Sequence, residues 1–139
     1  MINYTSNIKD IHPDQLKGGF FADWGDKYPS PEKHLEILQN SYAVVLAIDE
    51  ATNEVVGFIN AISDGVISAY IPLLEVVRDY QGQGIGKELV DKMIEELDSF
   101  YMVDLLCDTK LQPFYEKRGM MKVGGMCIRN FSYADGENY

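Results

Sequence analysis

The sequence predicts a single α+β (α/β) domain, a mixed, twisted β-sheet flanked by helices in the order β-α-α-β-β-β-α-β-α-β-β. Three observations carry that reading. Two runs rich in β-branched residues flank Asp49-Glu50-Ala51-Thr52-Asn53-Glu54, the pattern of an antiparallel hairpin. A third apolar run, ending Leu73-Leu74-Glu75-Val76-Val77, leads into glycines at alternate positions 82, 84 and 86, and then into a strongly amphipathic stretch. A short apolar run, Met102 to Cys107, follows that stretch and completes a strand–helix–strand crossover.

Taken in order, residues 1–9 fit a short edge strand. His12-Pro13-Asp14 opens a helical region with Leu16, Phe20 and Phe21 as its core face, and residues 20–31 read as a loop. Ser30 is an N-cap with Pro31 in the first helical position, and the helix runs through Leu35 and Leu38 to about Asn40. Strands follow at Ser41–Asp49 and Val55–Ser63, then a turn at Asp64-Gly65 and a strand from Ile67 to Val77. Pro72 interrupts that last strand, so a bulge or break is expected there. In the next helix Ile85, Leu89, Met93 and Leu97 recur every four residues, with Glu88 and Lys92 as a surface pair. Met102–Cys107 reads as a buried strand and Leu111–Arg118 as a short helix ended by Gly119. Val123 and Met126–Tyr133 are expected to finish the sheet as a hairpin through Gly124-Gly125.

At 139 residues the chain is long enough for one core, and its 46% hydrophobic and 24% charged content is that of a soluble globule. No apolar run approaches a membrane span, and Met1-Ile2-Asn3-Tyr4 does not open a signal peptide, so a cytoplasmic protein is expected. Cys107 and Cys127 read as buried free thiols, and isolated His12 and His34 as structural; no metal-ligand spacing is present. A net charge of −10 argues against nucleic acid, whose binding needs a basic patch, and is compatible with a cationic acceptor.

The chemistry concentrates in Gln81-Gly82-Gln83-Gly84-Ile85-Gly86. Each glycine costs roughly 1 kcal/mol inside a helix, but at a helix start the three leave backbone N–H groups open toward an anion. A phosphate-bearing ligand is therefore expected. A Walker-type loop is disfavoured, because Glu88 stands where the magnesium-binding Ser or Thr belongs. A dinucleotide fingerprint is one residue too tight and has Lys87 in place of its third glycine, yet Asp108 near the next strand's end keeps that reading open. A helix that merely begins with glycines is the bland alternative.

Gln81-x-x-Gly84-x-Gly86 resembles the (Gln/Arg)-x-x-Gly-x-(Gly/Ala) signature of the GNAT superfamily, the GCN5-related N-acetyltransferases. Phe114-Tyr115-Glu116-Lys117-Arg118-Gly119-Met120 resembles a second stretch of that family, and the likeness runs well over roughly residues 42 to 131. The resemblance implies one N-acetyltransferase domain over residues 1–139. It implies acetyl-CoA as cosubstrate and direct transfer of its acetyl group to a primary amine. By the same resemblance Gly82, Gln83, Gly84, Ile85, Gly86 and Lys87 would cradle the pyrophosphate. Leu74 and Val76 would bind the pantetheine arm like an added strand, and the Val76 N–H would meet the thioester oxygen. Tyr115 would protonate the leaving CoA thiolate, and Glu75 would act as base on the ammonium directly or through water. Trp24, Tyr28 and Tyr70 are candidates for the acceptor wall, with a small-molecule or peptide amine as partner and a homodimer possible. Three positions depart from the family pattern: Asp108 for an asparagine, Arg78 for a common proline, and Val103 for an acid of some protein-N-terminus acetyltransferases. A non-catalytic acyl-CoA-binding module and a dinucleotide-binding domain are the competing readings.

Overall fold

The computed structural model describes residues 1–137. Five strands form one sheet in sequence order: β1 (Ile2–Thr5), β2 (Ala43–Asp49), β3 (Glu54–Ser63), β4 (Ser68–Val76) and β5 (Met102–Asp104). The first four pair antiparallel, and β5 joins β4 in parallel. The α-helices are α1 (Pro31–Gln39), α2 (Ile85–Glu96) and α3 (Gln112–Glu116).

Local chemistry accounts for the element ends. Ser30 caps α1, its hydroxyl accepting the Lys33 N–H at 3.1 Å, with Pro31 in the first turn. In the β2–β3 turn the Asp49 carboxylate accepts the Ala51 N–H (2.9 Å). Gly119 adopts φ +95° after α3, and the Met120 N–H returns to the Tyr115 carbonyl.

The sheet is covered on both faces. Ile85, Leu89, Val90 and Met93 of α2 are buried on one face. Gly57 permits that approach: a Cβ there would lie 3.1 Å from Leu89 Cδ1 and 3.2 Å from Ile85 Cγ2. On the other face Phe58 meets Phe20, Phe21 and His34, with ring centroids 5.3, 6.1 and 4.4 Å away. His34 is a core residue there, and burial in this apolar setting holds its imidazole down to about 4.

Pro72 sits where the β3–β4 register shifts: Asn60 pairs with Leu73, but Ile62 pairs with Tyr70. Two residues, Ile71 and Pro72, therefore oppose Ala61, the arrangement of a bulge. Paired residues share a face, so the shift puts Tyr70 on the same face as Leu73 and Glu75.

Four expectations are corrected. The helical region after His12 is one 3-10 turn, Pro13–Leu16; Gly18-Gly19 follows, and Gly19 at φ +108° cannot continue a helix. β5 ends at Asp104 rather than Cys107 and is not buried, because it is the sheet's last strand. The hairpin expected at Val123 and Met126–Tyr133 is not paired; residues 121–130 are all exposed. A two-stranded ribbon without a covered face is marginal in water, and Gly124-Gly125 adds backbone entropy to its cost. Both thiols are free, but neither is buried: Cys107 is partly covered and Cys127 is exposed, since the segments carrying them left the core.

Candidate active site

The parallel pairing of β4 with β5 stops at Tyr70–Asp104. Beyond it β4 continues for six residues, Ile71 to Val76, with its outer edge facing no strand. The strands have parted, and the cleft between them opens toward the glycine turn. Backbone direction along that edge follows from one bond. The Val77 N–H donates to the Val56 carbonyl of β3 (2.9 Å), so the N–H and C=O of Val76, and of Leu74 before it, point the other way, into the cleft. The Gln81 side chain donates to the Val76 carbonyl from that side (2.9 Å) and fastens the turn to the end of β4.

Gly82 and Gly84 have φ +79° and +84°, a backbone that other L residues adopt only with strain. A Cβ built on either meets nothing within 4 Å, so no neighbour of the chain fills the space before them. Among the described residues none of the amides from Gly82 to Lys87 donates to a backbone carbonyl outside α2, and the first-turn amides of α2 have no acceptor within it. Those amides and the positive helix end form a cradle for an anion with room for it to enter. The Lys87 ammonium is drawn along the helix to Asp91 (2.9 Å).

α3 is held to the flank of α2 by Arg118, whose Nε lies 3.2 Å from the Asp91 carboxylate. Tyr115 is half-buried beside Phe114, ring centroids 5.0 Å apart, and its hydroxyl bonds to no described residue. Burial first, and then Cys107 nearby, push its phenol up to about 12. It is neutral at any physiological pH.

Glu75 lies on the opposite face of β4. Its Oε1 accepts the Phe21 N–H at 2.8 Å, and the Trp24 side chain lies near enough to favour the charged carboxylate. Burial, the largest influence, raises its pKa above the usual value, and the Asp23 charge raises it further, against the lowering effect of the Phe21 bond and of Trp24. Phe21 is at φ +65°, a strained backbone for an aromatic residue, and its amide is the one Glu75 holds.

The structure thus gathers the cofactor-side residues Leu74, Val76 and Gly82–Lys87 on one cleft. It brings Glu75, Trp24 and Tyr70 to the other face. Tyr28 lines a hollow of about 390 Å3 with Phe20, Phe21 and His34, and Trp24 is not part of its wall. Gln81 and Phe21 were not among the expected site residues. Gln81 could have been found as the motif's first letter, whereas nothing in the sequence marks Phe21. Asp108 closes the turn after β5, its carbonyl accepting the Leu111 N–H (2.9 Å).

The mixed sheet leaves the edge of β4 unpaired beside an open helix N-terminus. Four consecutive antiparallel strands set aside the dinucleotide reading, which needs a parallel sheet. The sequence profile of the acetyltransferase (GNAT) family matches residues 8–120, and the chain belongs to that family. The uncharacterized N-acetyltransferase ycf52 of Pyropia yezoensis is 31% identical over 124 residues, 86% of this chain and 70% of that one. An acetyltransferase crystal structure from Deinococcus radiodurans R1 superposes with a TM-score of 0.92 at 38% identity, covering 99% of this chain and 94% of that one. Glucosamine-6-phosphate N-acetyltransferase of Arabidopsis thaliana shares the fold alone, with a TM-score of 0.70 at 15% identity over 94% of this chain and 99% of that one. These likenesses make the chain an acyltransferase of the N-acetyltransferase type. Among the described residues no helix is long and apolar enough to cross a membrane.

Proposed function

We propose that this enzyme transfers the acetyl group of acetyl-CoA to a primary amine by direct attack within a ternary complex. The observation that carries this reading is the conjunction at the cleft: open amides from Gly82 to Lys87 beside an unpaired strand edge at Leu74 and Val76. An anion cradle alone would suit many ligands. A cradle continuous with a free strand edge suits a pyrophosphate joined to an amide-bearing arm, which adds to the sheet as a strand.

Acetyl-CoA supplies the activated thioester. The Val76 N–H, directed into the cleft, is placed to donate to a carbonyl oxygen as that oxygen gains charge. Glu75, its carboxyl raised toward neutrality, would take the proton the attacking nitrogen must lose. Tyr115 would hold the departing sulfur. Magnitudes define that role: a phenol near 12 is a weaker acid than a thiol near 8.5, so Tyr115 stabilises a thiolate by hydrogen bonding more readily than by giving up its proton. Trp24 and Tyr70, on the Glu75 face, would meet the acceptor.

The test is a thermal-shift panel with acetyl-CoA, CoA, NAD and ATP. A ligand bound only by the folded state at 100 times its Kd adds about 2.7 kcal/mol, several degrees for a domain of this size. Acetyl-CoA and CoA are expected to raise the Tm and NAD to leave it unchanged. A shift with NAD and none with acetyl-CoA would overturn the reading.

A further inference from the structure

The hollow beside Tyr28 is separate from the cleft and from Glu75. None of Leu74, Glu75, Val76, Trp24, Tyr70 or Tyr115 lines it. It lies between the Pro13–Leu16 turn, residues 19–22 and the start of α1. At about 390 Å3 it falls within the range of small-molecule sites. Three aromatic rings, Phe20, Phe21 and Tyr28, and one imidazole, His34, form part of its wall. His34 is 1% exposed, yet its Nε2 has no hydrogen-bond partner among the described residues. A buried polar atom in that condition is uncommon and costly. The imidazole's neighbours in the core do not relieve it: the rings of Phe58, Phe20 and Phe21 stand around it at centroid distances of 4.4, 5.0 and 5.0 Å.

Electrostatics narrow the ligand. The chain has 22 acidic residues, and none of them lines the hollow. The one lysine in its wall, Lys17, is paired with Asp14 at 2.7 Å. A protonated amine would find no counter-charge here, so the hollow is not a seat for the amine that Glu75 would serve. His34 is neutral at physiological pH, because burial holds its imidazole down to about 4. A neutral imidazole has one N–H and one bare nitrogen, so Nε2 either donates or accepts. A hydroxyl does both and satisfies Nε2 in either tautomer. An aromatic ring carrying that hydroxyl would also pack edge-to-face with the rings of the wall.

We propose that this hollow is a second binding site, for a neutral phenol-type molecule whose ring lies among Phe20, Phe21 and Tyr28 and whose hydroxyl bonds His34 Nε2. The site shares no residue with the cleft, so it stands independently of the acetyl-transfer reading. Phe21 nonetheless links it to Glu75. The Phe21 side of the hollow belongs to a residue at φ +65° whose N–H the Glu75 carboxylate accepts at 2.8 Å. An occupant therefore bears on the strained residue that Glu75 holds.

The experiment is a nuclear magnetic resonance titration of the full chain, labelled with nitrogen-15, against phenol, toluene and benzylammonium. Phenol should give saturable shifts at the His34 ring nitrogens and at the Phe21 amide, with the Nε2 resonance moving more than Nδ1. Toluene keeps the ring and lacks the hydroxyl, so it should bind about tenfold more weakly, the usual worth of one hydrogen bond. Benzylammonium should give no saturable shift at either residue. His34→Leu keeps the wall apolar and removes Nε2, and in it phenol and toluene should bind alike. The Nε2 resonance of the wild type tests the same bond without any variant. Phenol shifts that are absent or that miss His34 and Phe21 would overturn the proposal. So would equal affinity for phenol and toluene in the wild type, a phenol preference that survives in His34→Leu, or benzylammonium binding as well as phenol.

Discussion

On the proposed function, the outer edge of β4 and its Glu75 face would recognise their ligands by different means. On the cleft side the working groups are backbone: the amides of Gly82 to Lys87 and the N–H of Val76. The geometry of the Gly82–Lys87 amides is set within a few residues by two left-handed glycines and a helix start, and that of the Val76 N–H by the pairing of β4 with β3. On the other side the working groups are side chains gathered from distant positions. Glu75 reaches the Phe21 amide across 54 residues, and Tyr70 arrives on that face only because the bulge at Ile71-Pro72 turns it there. A backbone cradle tolerates almost any side chain around it, provided glycine stays where φ is positive. A side-chain wall can be rebuilt by single substitutions.

The largest effect expected from breaking this contrast is at Gly84. Gly84→Asp places a carboxylate in the open space before the cradle. Its Cβ meets no protein atom within 4 Å, and Asp tolerates the left-handed conformation better than most residues, so the protein should fold. Calorimetry should find no acetyl-CoA binding; unchanged affinity would mean the glycine turn is not the phosphate site.

Next come the two groups assigned to chemistry. Tyr115→Phe keeps the ring and its packing while removing the hydroxyl. The rate constant kcat should fall roughly 10²–10³-fold, the usual cost of losing one hydrogen-bond donor to a developing charge, with little change in cofactor affinity. The loss should shrink with an aryl thioester donor, whose leaving group needs no help. Full kcat on the best acceptor from an amine screen would show Tyr115 to be structural.

Glu75 offers a sharper comparison, because it holds the Phe21 amide and is also the proposed base. Glu75→Gln retains an acceptor for the Phe21 N–H but cannot act as a base, so kcat should fall by a similar factor while Phe21 stays in place. Glu75→Ala also strands that amide, at a cost of about 1–3 kcal/mol in stability, and should raise the acceptor KM. In the wild type kcat/KM should fall at low pH as Glu75 protonates, at a pH above the ordinary carboxyl value of 4.5, because burial raises its pKa. Glu75→Gln should lack that limb, and its presence in the variant would assign the limb to another group.

The smallest effect concerns stability alone. His34 is held down to about 4 in the folded chain against 6.5 when free, so between those values the unfolded state binds more protons and folding weakens as pH falls. The contribution is fully present above pH 6.5 and is lost progressively toward pH 4. It amounts to roughly 3 kcal/mol, because each tenfold change in proton affinity is worth about 1.4 kcal/mol. His34→Leu should flatten that part of the stability curve in urea titrations; an unchanged slope would place the titration elsewhere.

Much of this molecule was legible in the sequence for the same reason the donor site was. The β2–β3 hairpin, the Ser30 cap, the break at Pro72 and the stop at Gly119 each rest on interactions a few residues apart. The terminal hairpin was misread although its alternation and its Gly-Gly turn were present. A strand needs a neighbour, and the sequence does not say whether that neighbour lies in the same chain. The buried state expected of Cys107 and Cys127 failed with it, because burial belongs to the packed segment rather than to the residue type.

The sequence by itself determined the strand–turn–helix at residues 74–97, and with it the unpaired amides at the start of α2. Those properties follow from φ preferences and helix periodicity over short stretches of chain. Only the tertiary structure decided that Glu75 would meet a strained Phe21, that Tyr70 would share its face, and that no described residue after Leu97 would be fully buried. Each of these depends on which distant surfaces compete for burial. That competition is settled by packing the whole chain, because apolar area drives burial without specifying a partner.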